Sequence, residues 1–226
     1  SPYTITLTVT NANGDTLTST EQIYVANCAP INNSNSYWYV DRSSGLDFAT
    51  GRAVFDPNFP SNNTANLSCN SQCDTNGNLL FYTNNFKVWN RQHVQINPTD
   101  LMLSSNSNSS YQTLIVPKPP VTGNVISEYY IFVQQPFNSN VSDIGFYYNV
   151  VNVNGTTATM GAMHQPITLP VSYGFDLAPN GALIGSKSIT AVKKCNNYDY
   201  WIMAILKKGT DLYFVVFSLT SSGLAY

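Results

Sequence analysis

Charge is what this sequence has least of. Lys, Arg, Asp and Glu make up 10% of its 226 residues, against about a quarter in an ordinary globular domain. Ten basic and twelve acidic side chains leave a formal net charge of -2. No run of Lys or Arg is present to neutralise a row of phosphates, so nucleic acid is not an expected partner. Glutamate is nearly missing, with only Glu21 and Glu128. A glycosidase needs two carboxylates at a defined separation, and the Asp residues fall in no pattern that supplies them. His93 and His164 are the only histidines. Neither has a Cys or carboxylate at ligand spacing, so both read as structural. Nucleophile elbows and phosphate-cradling loops are also missing, and no enzyme is expected.

Long apolar runs are missing as well. "YYIFV" and "VVFSL" are strand-sized and far short of the roughly 20 residues of a membrane span. The chain has no initiator Met and no signal-peptide core, and it opens at once on "YTITLTVT"; it reads as part of a longer protein. Cysteine is sparse: Cys28, Cys69, Cys73 and Cys195 allow three pairings and lack zinc-site spacing. Disulfides in an oxidising compartment are expected.

What is present is apolar and amide-rich. A hydrophobic content of 43% excludes disorder, and Asn, Ser and Thr wet the surface in place of charge, as is common outside cells. Residues 3 to 10 alternate, with Tyr3, Ile5, Leu7 and Val9 against four threonines; that is a half-buried strand. Asn13-Gly14 follows, and "LTSTEQIYVA" returns as a second strand. "NCAPINNSNS" then reads as a linker. From Tyr37 onward strand-like runs recur with no helical spacing, so the expected class is all-β.

Two of these stretches repeat. "EYYIFVQQ…GFYYNVVNVNG" matches "YDYWIMAIL…DLYFVVFSLTSSG", with Tyr147 on Tyr213, Val150 on Val216 and Val153 on Leu219, an offset of 66. Such a unit of antiparallel strands is the signature of a propeller blade. About two and a half blades are expected here, an incomplete β-propeller-like module. A β-sandwich is the alternative architecture.

Asn-Gly occurs at 13-14, 76-77, 154-155 and 180-181, where type I′ turns with positive φ at both central residues are expected. Asp74, Asn76 and Asn78 alternate as calcium ligands do. The twelfth position from Asp74 is Asn85, where a calcium loop wants Glu; an Asx turn is the leading expectation and calcium the lesser one. Fifteen Tyr and eleven Phe are expected mainly between sheets. Trp38, Trp89 and Trp201 are candidates for stacking on glycans.

"YTITLTVTNANGDTLTSTEQIYV" resembles the last two strands of a PKD-type immunoglobulin-like domain, a non-catalytic spacer of surface proteins. "YWYVDRSSGLDFATGRAV", "CDTNGNLLFYTNNFKVWNRQHV", "TLIVPKP", "ITAVKKCNNYDYWIM" and "LTSSG", in that order, resemble the propeller-like region of Bacteroidota cell-surface proteins. Those proteins are exported by the type 9 secretion system and are of the gliding-motility-associated type. The resemblance implies an antiparallel Ig-like hairpin over 1–27, a linker over 28–36 and a propeller-like module over 37–226. It implies a secreted, non-enzymatic structural or adhesion protein, within a filament or gliding-associated assembly. Its expected partners are copies of itself, surface proteins and the secretion machinery. It suggests pairing of Cys69 with Cys195 and of Cys28 with Cys73. Asp15-Thr16-Leu17 fits the Bacteroidota O-glycosylation tripeptide, making Thr16 a candidate. The competing functions are a glycan-binding lectin-like propeller and a carbohydrate-active propeller enzyme.

Overall fold

The computed structural model describes residues 2–10, 13–24, 37–40, 44–48, 52–56, 70–101, 112–121, 125–134, 145–196 and 198–226. Among the described residues strands predominate and the only helix is the 3-10 turn Val171–Tyr173, so the fold class is all-β. Two compact units are present, Ser1–Asn32 and Asn33–Tyr226. The expected linker lies outside the described residues.

The first unit contains the antiparallel pair β1 (Pro2–Thr10) and β2 (Thr16–Tyr24). Thr6 stands opposite Thr20, Thr8 opposite Thr18 and Thr10 opposite Thr16. Directly opposed partners share a face, and all six of these threonines are exposed. Threonine suits this place, because its branched Cβ favours extended backbone while its hydroxyl meets water.

The second unit is a series of antiparallel meanders. β3 (Tyr37–Val40), β4 (Ser44–Asp47) and β5 (Val54–Phe55) make the first sheet; β6 (Asn70–Cys73), β7 (Leu79–Thr83) and β8 (Val88–Asn90) make the second. The third is β9 (Gln112–Pro117), β10 (Glu128–Gln134), β11 (Phe146–Asn154) and β12 (Thr157–Met160), with β13 (Gln165–Pro166) also on β11. The fourth is β14 (Gly185–Lys193), β15 (Tyr200–Lys208), β16 (Asp211–Thr220) and β17 (Gly223–Ala225). Among the described residues four sheets stand where about two and a half repeats were expected, because "YWYV" and "SGLD" pair with each other in a sheet of their own.

The third sheet is buried on both faces. Tyr129, Ile131, Val133, Tyr147 and Val151 pack with Leu80, Phe81 and Val88 of the second sheet. Tyr130, Phe132, Phe146 and Val150 pack with Ile202, Ala204, Val215, Phe217 and Leu219 of the fourth. A strand covered on both sides has no polar face, which is why "YYIFV" is an unbroken apolar run. β15 instead alternates between buried and more exposed positions. The first strands of successive sheets lie side by side, β3 by β6, β6 by β9 and β9 by β14. At the first of these contacts the Ser71 hydroxyl donates to the Tyr37 carbonyl.

The Asn-Gly turns are not of the expected type. Positive φ occurs at Gly14, Gly77, Gly155 and Gly181 but at none of the four preceding asparagines. Around Gly77 the amide of Gly77 donates to the Asp74 carbonyl (3.1 Å) and the amide of Asp74 to the Asn78 carbonyl (2.9 Å). Gly181 repeats this pattern with Ala178 and Ala182, both bonds being 2.8 Å. Each is a three-residue loop in which only the glycine takes the left-handed position.

Candidate functional site

The Asp74 loop is closed by its own carboxylate. Oδ1 accepts from the backbone N–H of Asn76 (2.9 Å) and of Asn78 (2.8 Å), and Oδ2 accepts from the Asn78 side-chain amide (2.9 Å). Burial works against ionisation of Asp74. The donors of Asn78 and Asn76, with the Arg91 charge, outweigh it and hold the carboxyl below its usual range. Asn78 turns its NH2 toward the carboxylate, whereas a shared calcium ion would need its oxygen there. Among the described residues no group of three or more His, Cys, Asp or Glu is placed to hold a metal.

The three tryptophans sit on three different sheets. Trp38 is exposed, with the Phe48 ring 5.1 Å away. Trp89 is half-buried and stacks on Tyr82 with ring centroids 5.2 Å apart, so it fills space beside the second sheet. Trp201 is exposed, with Lys194 Nζ 3.8 Å from its ring centroid. Thr16 is exposed at the start of β2. Cys28 and Cys69 lie outside the described residues. Cys73 is buried, and Cys195 is an exposed free thiol in the turn after β14.

Both histidines have positive φ, 60° at His93 and 52° at His164. The rings are held: His93 Nδ1 lies 3.1 Å from the Tyr82 hydroxyl, and His164 Nε2 lies 2.9 Å from the Asp100 carbonyl oxygen. These are turn residues with partnered rings.

A different feature emerges from the repeat. In the third sheet the Lys118 amide donates to the Glu128 carbonyl (2.9 Å), and Lys118 Nζ lies 6.0 Å from the ring of Tyr130. In the fourth the Lys194 amide donates to the Asp199 carbonyl (2.8 Å), and Lys194 lies over Trp201. Tyr130 is thus the counterpart of Trp201, two residues beyond the carbonyl in each case. From this anchor the cross-strand register matches Val116 with Val192, Phe132 with Met203, Phe146 with Phe214 and Tyr148 with Val216. On the third strands this alignment sets Phe146 against Phe214, two residues beyond the sequence match, which set Tyr147 against Tyr213. A slip of two keeps every side chain on its face.

The matched residues differ in what covers them. Val116 is 1% exposed and Val192 51%; Phe146 is 0% exposed and Phe214 81%. The face that the third sheet buries against the fourth is therefore repeated in part on the fourth sheet's outer side, where it is open and where Ser218 takes the place of Val150 and Thr190 that of Leu114. A cavity of about 450 Å³ on that side is lined by Val192, Trp201, Met203 and Val216. A second, of about 490 Å³, is lined in part by Phe175, Lys208, Tyr213 and Phe214. A third, of about 170 Å³, has Lys118, Lys193, Tyr198 and Tyr200 among its lining residues. None of these three is lined by Asp or Glu. The sequence carried a sign of the open face in "DLYFVVFSL", which is apolar at consecutive positions although only one side is covered.

Comparison with protein-family models, with curated proteins and with solved structures finds no match.

Proposed function

We propose that this chain is part of an exported cell-surface protein in which a PKD-like hairpin precedes a β-propeller-like module that serves structure or adhesion. The observation that carries the reading is the stack. Matched antiparallel meanders bury matched faces, and their first strands run side by side as the innermost strands of propeller blades do. The exposed threonine face of β1 and β2 and the scarcity of charge suit an extracellular spacer. In this reading the protein works through its surfaces, its partners are copies of itself or neighbouring surface proteins, and Thr16 is an O-glycan acceptor. The test is surface labelling and protease shaving of the producing bacterium, with and without a functional type 9 secretion system. Protein that stays inside the wild-type cell, or reaches the surface equally in the secretion mutant, overturns it.

A glycan-binding propeller is the second reading. The observation that favours it is the cavity lined in part by Lys118, Lys193, Tyr198 and Tyr200, with Lys193 Nζ 5.9 Å from the Tyr200 ring centroid. A glycan array, run with and without chelator, separates the two, since a structural module gives no saturable signal.

A further inference from the structure

The cavity of about 490 Å³ lies within the size range of small-ligand sites, and most of its wall is aromatic. Tyr173, Phe175, Tyr213, Phe214 and Tyr226 line it together with Lys208. Two edge-on ring pairs stand there, Tyr173 with Tyr226 at 5.0 Å between centroids and Phe175 with Tyr213 at 6.0 Å. An edge-on contact covers one of the four ring faces in a pair, and Tyr173, Tyr213, Phe214 and Tyr226 are all exposed. The charge beside these rings lacks a counter-ion. Asp176 engages both carboxylate oxygens elsewhere: Oδ1 accepts from the Gly209 amide (2.9 Å), and Oδ2 pairs with Lys207 (3.1 Å). Asp211 stands opposite Lys208 across the hairpin, yet Lys208 is in none of the ion pairs among the described residues. Gly174, at φ 69°, leaves room for the lysine stem, since a Cβ there would stand 3.4 Å from Lys208 Cε and 3.6 Å from Nζ. That Nζ lies 6.0 Å from the Phe175 ring centroid.

From this meeting of open ring faces, tyrosine hydroxyls and an ammonium outside any ion pair, we infer that the cavity binds an acidic saccharide, one that carries a carboxylate or a sulfate. A pyranose is apolar on its C–H faces and polar at its rim. The C–H face meets the electron-rich face of an aromatic ring, and the rim hydroxyls meet those of Tyr173, Tyr213 and Tyr226. The acid group meets Lys208 in a charge-assisted hydrogen bond. A cationic ligand also suits aromatic faces, but the ammonium repels it. A proline-rich peptide suits an aromatic groove and leaves the ammonium without a partner. The local charge agrees with an anion, because residues 185–226 hold five lysines and two aspartates in a chain of net charge -2. Such a site rests on the reading of the module as one that works through its surfaces, and it gives adhesion a ligand class. It is lined by residues other than those of the cavity with Lys193 and Tyr200.

The test is calorimetric titration of residues 1–226 with three probes: tetragalacturonate, its methyl ester, and a carrageenan tetrasaccharide. The ester has the same backbone without charge, and the carrageenan carries sulfate without carboxylate. The expected result is saturable binding of at least one acidic probe, about tenfold or more tighter than that of the ester and weakened by salt. Which acidic probe binds tells carboxylate from sulfate. Lys208→Met keeps the stem and removes the charge; it is expected to weaken the acidic probe about fivefold or more and to leave the ester unchanged. Phe214→Ala is expected to weaken both, and circular dichroism melts establish that the two variants are folded. Absence of saturable binding by either acidic probe, equal affinity for acid and ester, or parental binding by Lys208→Met overturns the assignment. So does a polyproline peptide that binds more tightly than either acidic probe. Binding lost in Lys193→Met and kept in Lys208→Met also overturns it, moving the glycan to the other cavity and leaving the lectin reading intact. These titrations use the purified chain, so their failure and failure of the export assay are read separately.

Discussion

Phe146 and Phe214 hold the same place in successive sheets, opposite Gln134 and Ile205 respectively, yet one is enclosed and the other stands in solvent. Phe146 meets the edge of Phe217 across the sheet interface, with centroids 5.8 Å apart. Replacing Phe146 by Ala removes a buried ring and leaves a cavity, which costs about 3–5 kcal/mol. Replacing Phe214 by Ala in residues 1–226 changes stability by no more than about 0.5 kcal/mol. Urea denaturation of the two variants checks the contrast. Equal losses would mean that Phe214 is covered in this chain.

Gly185 is needed for a close approach. The Gln134 side-chain amide donates to the Ile205 carbonyl (3.1 Å), tying the end of β10 to β15. A Cβ at Gly185 would run into the Gln134 amide and stand 2.5 Å from the Ile205 oxygen. Gly185→Ala is expected to cost about 1–3 kcal/mol by overpacking. Adding Gln134→Ala should restore only part of this, because the Ile205 oxygen is backbone and cannot move aside. Full recovery in the double variant, measured by thermal melting, would show that the side chain alone is the obstacle.

The strands and their class were legible because burial leaves a direct trace. "YYIFV" is continuous because both faces of β10 are covered, and "YTITLTVT" alternates with threonine on an exposed face. The repeat was legible too, and its match, two residues short of the sheet alignment, still named the correct faces because a strand has period two. Turn type was not legible: Asn-Gly fits several loops, and which residue takes positive φ depends on where the flanking strands place it. The fate of the tryptophans was hidden for a similar reason. Trp89 and Trp201 both follow apolar residues in strands, and only the fold shows that Trp89 stacks on Tyr82 of its own sheet while Trp201 stays exposed. The first sheet was missed because its strands are only two to four residues long.

Asp74 sets an acid limit on its hairpin. Its carboxyl is held below the usual value of 3.8 by the Asn78 and Asn76 donors and Arg91, against the opposing effect of burial. A depressed folded-state pKa stabilises above the unfolded value, and that contribution is lost as pH falls through 3.8 and below. The group is partly exposed, so solvent screens part of the effect. Asp74→Ala is expected to cost about 1 kcal/mol at neutral pH, the worth of a partly exposed hydrogen-bonded cap. The variant should also flatten the acid limb of the stability curve, read by thermal melting between pH 6 and about 3. A variant with an unchanged acid limb would show that the Asp74 network adds nothing to the fold.

The tyrosines set the alkaline limit. Burial pushes Tyr129 up to about 12, aided by the negative charge of Asp74. Burial also pushes Tyr37 up to about 12, with Asp47 as charge and hydrogen-bond partner. Tyr130 and Tyr200 are raised by burial as well. For an acid whose folded pKa lies above its unfolded value, the stabilisation is complete below the unfolded pKa, here 10.0. It is lost as pH climbs from there to about 12, because the unfolded chain releases protons that the folded chain keeps. Absorbance titration at the phenolate band should show one class of tyrosines ionising near its ordinary value. A second class should ionise together with loss of the β-sheet circular dichroism signal. Tyr129→Phe keeps the ring that packs edge-on against Phe81, with centroids 5.4 Å apart, and removes the ionisable hydroxyl. That variant should unfold at higher pH than the parent, whereas earlier unfolding would show that the hydroxyl contributes more to the native state than its titration removes.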